Sequence, residues 1–395
     1  MKHSVLEEQL SKIERLAELK AELTEQENYE KYHHLFEMTI AYLKKQHVLL
    51  YGGYAINELM PAKDKIYKKY TLPDIDVFAA QSTKVAKGLV KMFKDNGIEL
   101  TNYSEALHPG TYKVFAQGIQ IADITGISHK AFDKLDKHSV RGPSGLRVVD
   151  PQFLRLSLHM LLSQANNADR WPKVFARLNT FYRNFPPELC KQKSDDVLDP
   201  KSQMPEDLVS SIYKYLKGTG FVVFGSREIQ EMANDKIAID SKVPWIQIIA
   251  DKDLLDVAKA IMEVVPGHTL RVSKVHAGDD FIGPHVFLTL KGVKVVAIYY
   301  VEACVTFNNF KGMRVATIHT VLRMYLSMLM SPYKHFEQIG DHLECMVNAL
   351  SILQQKSVNS KKQLLQQMVI DCFGTQQGLI TLKRERLIRL MQKSK

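Results

Sequence analysis

Hydrophobic and polar positions along the chain change period several times, and each change marks an element. Over residues 4–46, Leu6, Leu10, Ile13, Leu16, Leu19 and Leu23 recur three or four apart among Glu and Lys, with no Pro or Gly. That spacing predicts helix. A second run, Tyr32, Leu35, Phe36, Ile40 and Leu43, continues it. The heptad is not sustained, so the pattern reads as a helix packed on a core rather than an independent coiled coil. The period then drops to that of strands. Val48-Leu49-Leu50-Tyr51 is an apolar run ending in Gly52-Gly53, and Tyr54-Ala55-Ile56-Asn57-Glu58-Leu59 follows as a helix. Asp74 and Asp76 alternate with Ile75 and Val77, and Asp123 sits among Ile119, Ile121, Ile124 and Ile127. Residues 143–185 return to helix and carry Trp171, Phe175, Phe181, Tyr182 and Phe185, a stripe more typical of a core than of base stacking. Pro186, Pro187, Pro200 and Pro205 mark residues 186–207 as a linker.

The order strand, glycine pair, helix, Asp-x-Asp on a strand and a lone Asp on a later strand has a chemical reading. Residues two apart on a strand face the same side. Asp74 and Asp76 would therefore project together, their Cα atoms roughly 7 Å apart. Carboxylates so placed can flank a pair of hard cations such as Mg²⁺, which takes oxygen ligands and shares them with substrate phosphates. Asp123 on a neighbouring strand would complete the site. The glycine pair at a helix N-terminus lets a triphosphate approach backbone N–H groups closely. It is not a Walker A loop, because no Gly-x-x-x-x-Gly-Lys-[Ser/Thr] occurs. Asp-x-Asp or Gly-Gly alone is weak; the ordered set suits metal-dependent transfer of a nucleotide.

The pattern recurs. Val222-Val223-Phe224-Gly225-Ser226 repeats strand and glycine, Trp245-Ile246-Gln247-Ile248 aligns with Asp74-Ile75-Asp76-Val77, and Lys294-Val295-Val296-Ala297 aligns with Gln120-Ile121-Ala122-Asp123. The spacing from glycine to first acidic position is 22 residues in one copy and 20 in the other; from there to the third it is 49 and 52. Under this alignment the carboxylates become Trp245, Gln247 and Ala297, which cannot serve as anionic ligands. Helical segments follow both copies, Pro151–Gln164 and Ala316–Met330. The second copy is expected to be silent, serving as scaffold, binding surface or subunit interface.

Tyr51-Gly52-Gly53-Tyr54-Ala55-Ile56-Asn57, Leu72-Pro73-Asp74-Ile75-Asp76-Val77-Phe78 and Ala122-Asp123-Ile124 resemble the DNA polymerase β-like nucleotidyltransferases. More narrowly they are similar to the poly(A) polymerase catalytic subunits of large cytoplasmic DNA viruses, the poxvirus, asfarvirus and giant-virus group. The resemblance implies an α+β fold with two tandem nucleotidyltransferase-like α/β units, the second inactive, and flanking helical segments. It implies Gly52 and Gly53 on the triphosphate of ATP, with Asp74, Asp76 and Asp123 as catalytic metal ligands for Mg²⁺ or Mn²⁺. The long insert Pro61–Thr71, with Lys63, Lys65, Lys68 and Lys69, departs from the cellular enzymes and fits the viral group. The expected activity is addition of AMP to an RNA 3′ end with release of pyrophosphate. The alternatives are a terminal uridylyl or CCA-adding enzyme, a transferase acting on a small molecule, or a non-catalytic RNA-binding subunit. A homodimer, rather than a heterodimer with a processivity subunit, is the expected assembly, located in the host cytoplasm at the viral factory and in the virion.

Composition adds bounds. A net charge of +10 favours a polyanionic partner without naming it. Content of 45% hydrophobic and 24% charged residues is that of a globular protein, and no apolar run is long enough to span a bilayer, so no membrane role is expected. Cys190, Cys304, Cys345 and Cys372 are far apart with no Cys-x-x-Cys, which reads as reduced thiols rather than a disulfide framework. The expected divisions are a helical segment at 1–47, a catalytic domain at 48–142, helix and linker at 143–207, the inactive domain at 208–312 and C-terminal helices at 313–395. Lesser candidates accompany the site. Asn57, a turn behind the glycines with Tyr54, could touch substrate or serve as cap or core. Lys113, on the strand before Asp123, could reach a phosphate. Lys137, with Ser128, Lys130 and Lys134, could neutralise the triphosphate or form a solvated basic face. The basic amphipathic segment Leu379–Lys395 is expected to dock on the body and present arginines to RNA.

Overall fold

The computed structural model describes residues 3–190, 204–233, 245–301, 303–357, 368–375 and 378–393. Most of the expected linker lies outside the described residues. The chain forms two compact units. The first comprises residues 1–127, 138–149 and 383–395, the second residues 128–137 and 150–382. These cuts differ from the sequence boundaries: the N-terminal helix and the end of the chain fold with the first unit, and the helical segment after residue 150 folds with the second.

The first unit holds a seven-stranded sheet: β1 (Leu49–Tyr51), β2 (Ile75–Ala79), β3 (Asn102–Glu105), β4 (Thr111–Ala116), β5 (Ile119–Gly126), β6 (Val140–Arg141) and β7 (Arg147–Val148). Their spatial order is β3-β4-β5-β2-β1-β7-β6. β1 runs antiparallel to β2 and parallel to β7, and β2 runs parallel to β5. Leu49, Leu50, Ile75 and Val77 are completely buried. Helix Ser82–Asp95 buries Val85, Ala86, Leu89, Val90 and Phe93, an i, i+3, i+4 stripe laid on β4 and β5.

Residues His3–Leu43 form one 41-residue helix, about 60 Å long. Its C-terminal part buries Leu35, Phe36 and Leu43. The packing expected of its first half is not found: Leu6, Leu10, Ile13, Leu16, Leu19 and Leu23 are each 51–62% exposed. The helix is simply longer than the core that its second half covers. At the other end of the chain, helix Leu379–Lys393 docks as expected, but through its arginines. The Arg386 Nε donates to the Glu105 carbonyl at 2.7 Å, and the Arg389 guanidinium donates to the Leu107 carbonyl at 2.7 Å.

The second unit carries β8 (Val222–Phe224), β9 (Ile246–Ala250), β10 (Leu270–Val272), β11 (His285–Leu290), β12 (Val293–Tyr300), β13 (Val305–Phe310), β14 (Met313–Ala316) and β15 (Cys372–Phe373), in the order β10-β11-β12-β9-β8-β14-β13-β15. Apart from β15 at its edge, this sheet repeats the first strand for strand. Helix Pro151–Leu162 starts on an Asp150 cap with Pro at its first turn, and Ile318–Met330 starts on a Thr317 cap. Trp171, Phe181 and Tyr182 are buried, as a core stripe should be. The reading of four separate thiols is corrected: Cys190 pairs with Cys345 and Cys304 with Cys372, at Cα separations of 5.4 and 5.3 Å. Partners 155 and 68 residues apart are brought together only by the tertiary fold.

Candidate active site

Register assembles the site in the first unit. Asp76 on β2 lies directly opposite Asp123 on β5, and Lys113 on β4 lies directly opposite Asp123 on its other side. Tyr51, the last residue of β1, is opposite Asp76. Four neighbouring strands thus place one side chain each in a single row. Asp74 immediately precedes β2 and is exposed, whereas Asp76 and Asp123 are half-buried.

Gly52 opens helix Gly52–Leu59 with φ +73°. A Cβ there would collide with Oδ2 of Asp76. The glycine is therefore required twice over, by its left-handed backbone and by the close approach of the Asp76 carboxylate to the chain at the helix start. The helix N-terminus and the carboxylate row share one corner of the sheet.

Lys113 Nζ donates to both oxygens of Asp123, at 2.8 and 3.2 Å, and to Gln120 Oε1 at 2.9 Å, while Gln120 Nε2 donates to Asp123 Oδ1 at 2.9 Å. Lys113 thus lies on the third carboxylate itself. Asn57 accepts, through Oδ1, from the backbone N–H of Ile66 at 3.0 Å and of Tyr67 at 3.2 Å, and its carbonyl accepts from Lys65. Its amide oxygen thus fastens the lysine-rich insert to the helix behind the glycines. Lys137 ends helix His129–Lys137, which belongs to the second unit, and is exposed. In that unit Ser128 Oγ donates to Asp280 at 2.6 Å and Lys134 pairs with Glu337 at 3.5 Å. The structure therefore brings together Gly52, Asp76, Asp123 and Lys113, with Asp74 next to them in sequence, and engages Asn57 elsewhere.

Three residues of the site were given no role by the sequence. Tyr51 stacks on Phe78 with centroids 3.9 Å apart and shares a hydrogen bond with Thr125 Oγ1 at 2.9 Å. Burial, then the Asp76 charge, pushes its hydroxyl above the usual range. Thr125 also meets Thr111 at 3.1 Å, and Gln120 orients Asp123. These types are common on strands, and only the register reveals what they face.

The row's anionic donors are carboxylate oxygens, hard ligands suited to Mg²⁺ or Mn²⁺ rather than to thiophilic ions. A model of the poly(A) polymerase catalytic subunit family matches residues 37–168. The chain resembles the viral poly(A) polymerase catalytic subunits. A protein of Acanthamoeba polyphaga mimivirus named for that subunit is 26% identical over 216 residues, 53% of this chain and 35% of that protein. One of African swine fever virus (isolate Pig/Kenya/KEN-50/1950), named likewise, is 23% identical over 166 residues, 40% of this chain and 34% of its own length. The matched stretch thus spans about a third of these relatives. The crystal structure of the Megavirus polyadenylate synthase superposes with a TM-score of 0.79 at 17% identity, covering 100% of this chain and 84% of that one. This polyadenylate synthase likeness establishes the fold, which spans the whole chain.

Within this polymerase-like fold the second unit reproduces the register of the first. Gln247 lies opposite Ala297 as Asp76 lies opposite Asp123, Phe224 lies opposite Gln247 as Tyr51 lies opposite Asp76, and Phe287 faces Ala297 where Lys113 faces Asp123. The positions equivalent to Asp76, Asp123 and Lys113 are filled by Gln247, Ala297 and Phe287. Gln247 Nε2 donates to the Tyr325 hydroxyl at 2.8 Å, and Lys294 lies over the Phe287 ring, 4.6 Å from its centroid. Gln247 and Ala297 are buried.

Proposed function

We propose that the chain is a template-independent RNA 3′-end poly(A) polymerase that transfers AMP from ATP to an RNA 3′-hydroxyl and releases pyrophosphate. The observation that carries the reading is the row Asp76–Asp123–Lys113 beside the Gly52 helix start, in the unit that the family model matches. The match to the poly(A) polymerase catalytic subunit supports the nucleotide and the acceptor; the geometry supports the chemistry.

Each residue has a role in this reading. Gly52 and Gly53 let the triphosphate approach backbone N–H groups and the positive end of the helix. Asp74, Asp76 and Asp123 would hold two divalent cations, Mg²⁺ or Mn²⁺. When bound, these supply charge neutralisation on the phosphates and acidify the attacking hydroxyl. Asp123 accepts the proton of the RNA 3′-hydroxyl, whose oxygen then forms its bond to the α-phosphorus as the bond to the pyrophosphate oxygen breaks. Lys113 orients Asp123 and screens its charge until substrate arrives. The net charge of +10 draws the RNA backbone nonspecifically.

Purified protein, a short RNA primer and each nucleoside triphosphate supplied singly test the proposal. Extension with ATP alone is expected. Extension only with UTP, or with CTP and ATP in a fixed short product, would move the chain to the uridylyl or CCA-adding class, and no extension on any primer would leave a binding subunit. Asp76→Asn and Asp123→Asn should each lower extension by at least about 10²-fold while the affinity for RNA stays within twofold. Loss of RNA binding with activity would show that the carboxylates are misassigned.

A further inference from the structure

The silent unit carries a cluster that the polymerase reading does not use. Among the described residues, His276, His285 and His335 bring one ring nitrogen each within 4.8 Å of one another. We infer that these three imidazoles form a binding site for a borderline divalent transition-metal ion, Zn²⁺ foremost, within the second unit.

The backbone builds the site before any ion arrives. His276 and His285 are cross-strand neighbours, bonded in both directions through N–H and carbonyl at 2.8 and 3.0 Å. The intervening loop turns on Gly278 at φ +88° and is held by Asp279, whose Oδ1 accepts from the N–H of Phe281 and Ile282 at 2.7 and 3.0 Å. The segment leading to His335 is pinned to the same loop: Ser331 Oγ donates to Asp279 Oδ2 at 2.5 Å, and the Tyr333 hydroxyl donates to the Gly278 carbonyl at 3.0 Å. Three histidines distant in sequence are thereby fixed by contacts that do not involve the rings.

Ring orientation points the same way. Nδ1 of His285 lies 3.1 Å from the Gly283 carbonyl, which can only accept, so Nδ1 carries the proton. Nε2 of His285 is left with its lone pair toward the cluster, 2.9 Å from Nε2 of His335. A metal-bound histidine commonly donates its other N–H to a backbone carbonyl in this manner. Zn–N bonds of about 2.0–2.1 Å in a tetrahedral arrangement require nitrogens roughly 3.3 Å apart, within a small rotation of the present rings.

The chemistry of the donors selects the ion. Three neutral nitrogen donors with no carboxylate among them disfavour Mg²⁺ and suit Zn²⁺, Co²⁺ or Ni²⁺. Lys294, half-buried over Phe287, and Lys274 are cations near the cluster, and both oppose a dication. His285 is fully buried, but His276 and His335 are only partly so, which leaves a fourth position for water. The site lies two residues along β11 from Phe287, the counterpart of Lys113. The silent copy would hold its ion beside the old catalytic row and use it to tie the loop between His276 and His285 to helix Lys334–Glu337.

Full-length protein passed over a chelating resin and titrated with Co²⁺ tests this. One equivalent per chain should give the visible d–d absorption of a tetrahedral site. Stoichiometric Zn²⁺ should abolish it and millimolar Mg²⁺ should not. His276→Ala and His335→Ala, chosen because these rings are half-exposed, should each weaken Co²⁺ binding by more than about tenfold with an unchanged far-ultraviolet circular dichroism spectrum. Lys294→Met should strengthen it. Absence of saturable d–d absorption, or the same absorption and affinity in both histidine variants, overturns the assignment; the latter would place the ion at Asp74, Asp76 and Asp123 instead.

Discussion

At the scale of single residues, Lys113 changes most in meaning between sequence and structure. A lysine on the strand before Asp123 reads as a phosphate ligand. In the fold it sits directly opposite Asp123 and donates to both carboxylate oxygens. In the proposed reading, an ammonium there would compete with a metal ion for the same oxygens. The pair is partly exposed, so its strength is modest, about 0.4–1 kcal/mol. Lys113→Met should therefore lower the Mg²⁺ concentration that half-saturates extension by about 2- to 5-fold, measured as a Mg²⁺ titration at saturating ATP. A raised Mg²⁺ requirement would return Lys113 to the triphosphate. Gly52 illustrates the converse: the glycine expected to make room for a phosphate also makes room for Asp76.

At the scale of elements, the C-terminal helix departs from expectation in use rather than in kind. Its amphipathic pattern was legible because apolar residues recur at helical spacing. That Arg386 and Arg389 face Glu105 and Leu107 was not, since nothing in the pattern says which basic residues meet carbonyls and which meet solvent. If these arginines dock the helix, Arg386→Ala and Arg389→Ala should lower the unfolding midpoint, each costing about 1–3 kcal/mol as a charged hydrogen bond is lost. The slope of log affinity for RNA against log salt should stay unchanged. A slope reduced by about one per arginine would show that they contact phosphates. The N-terminal helix gives the same lesson: Leu6 through Leu23 carry the spacing of a packed stripe, but burial depends on what lies opposite.

At the scale of the whole molecule, duplication is the organising fact. Seven strands of each sheet occur in the same order with matching register, and the acidic and lysine positions of the first row are filled by Gln247, Ala297 and Phe287 in the second. The second unit spends its interior on a buried polar chain: His319 meets His159 at 3.0 Å, His159 meets Tyr182 at 2.8 Å, and the Tyr182 hydroxyl donates to Ser351 at 2.9 Å. Burial lowers both histidines, His319 to about 4. An unfolded histidine titrates near 6.5, so below that pH the unfolded chain binds more protons than the native one. Stability is therefore complete above about pH 6.5 and is lost as pH falls toward 4, by on the order of 2–4 kcal/mol from His319. Thermal melts between pH 4 and 8 should show this, and His319→Gln should flatten the dependence. A midpoint unchanged down to pH 4.5 in the parent protein would contradict it.

What the sequence determined by itself was whatever is local or ordered along the chain. Alternating apolar residues around Asp74, Asp76 and Asp123, a glycine pair before a helix, and the same order repeated with Trp245, Gln247 and Ala297 follow from backbone periodicity, which one strand carries without its neighbours. Pairings across long separations belonged to the tertiary structure. Lys113 on Asp123, Tyr51 against Phe78, the two cysteine pairs, Asn57 beneath the insert and three histidines from 276 to 335 are set by strand register and by which faces the packing buries. Neither register nor packing partner is written in any single segment, because each arises only when distant segments share one core.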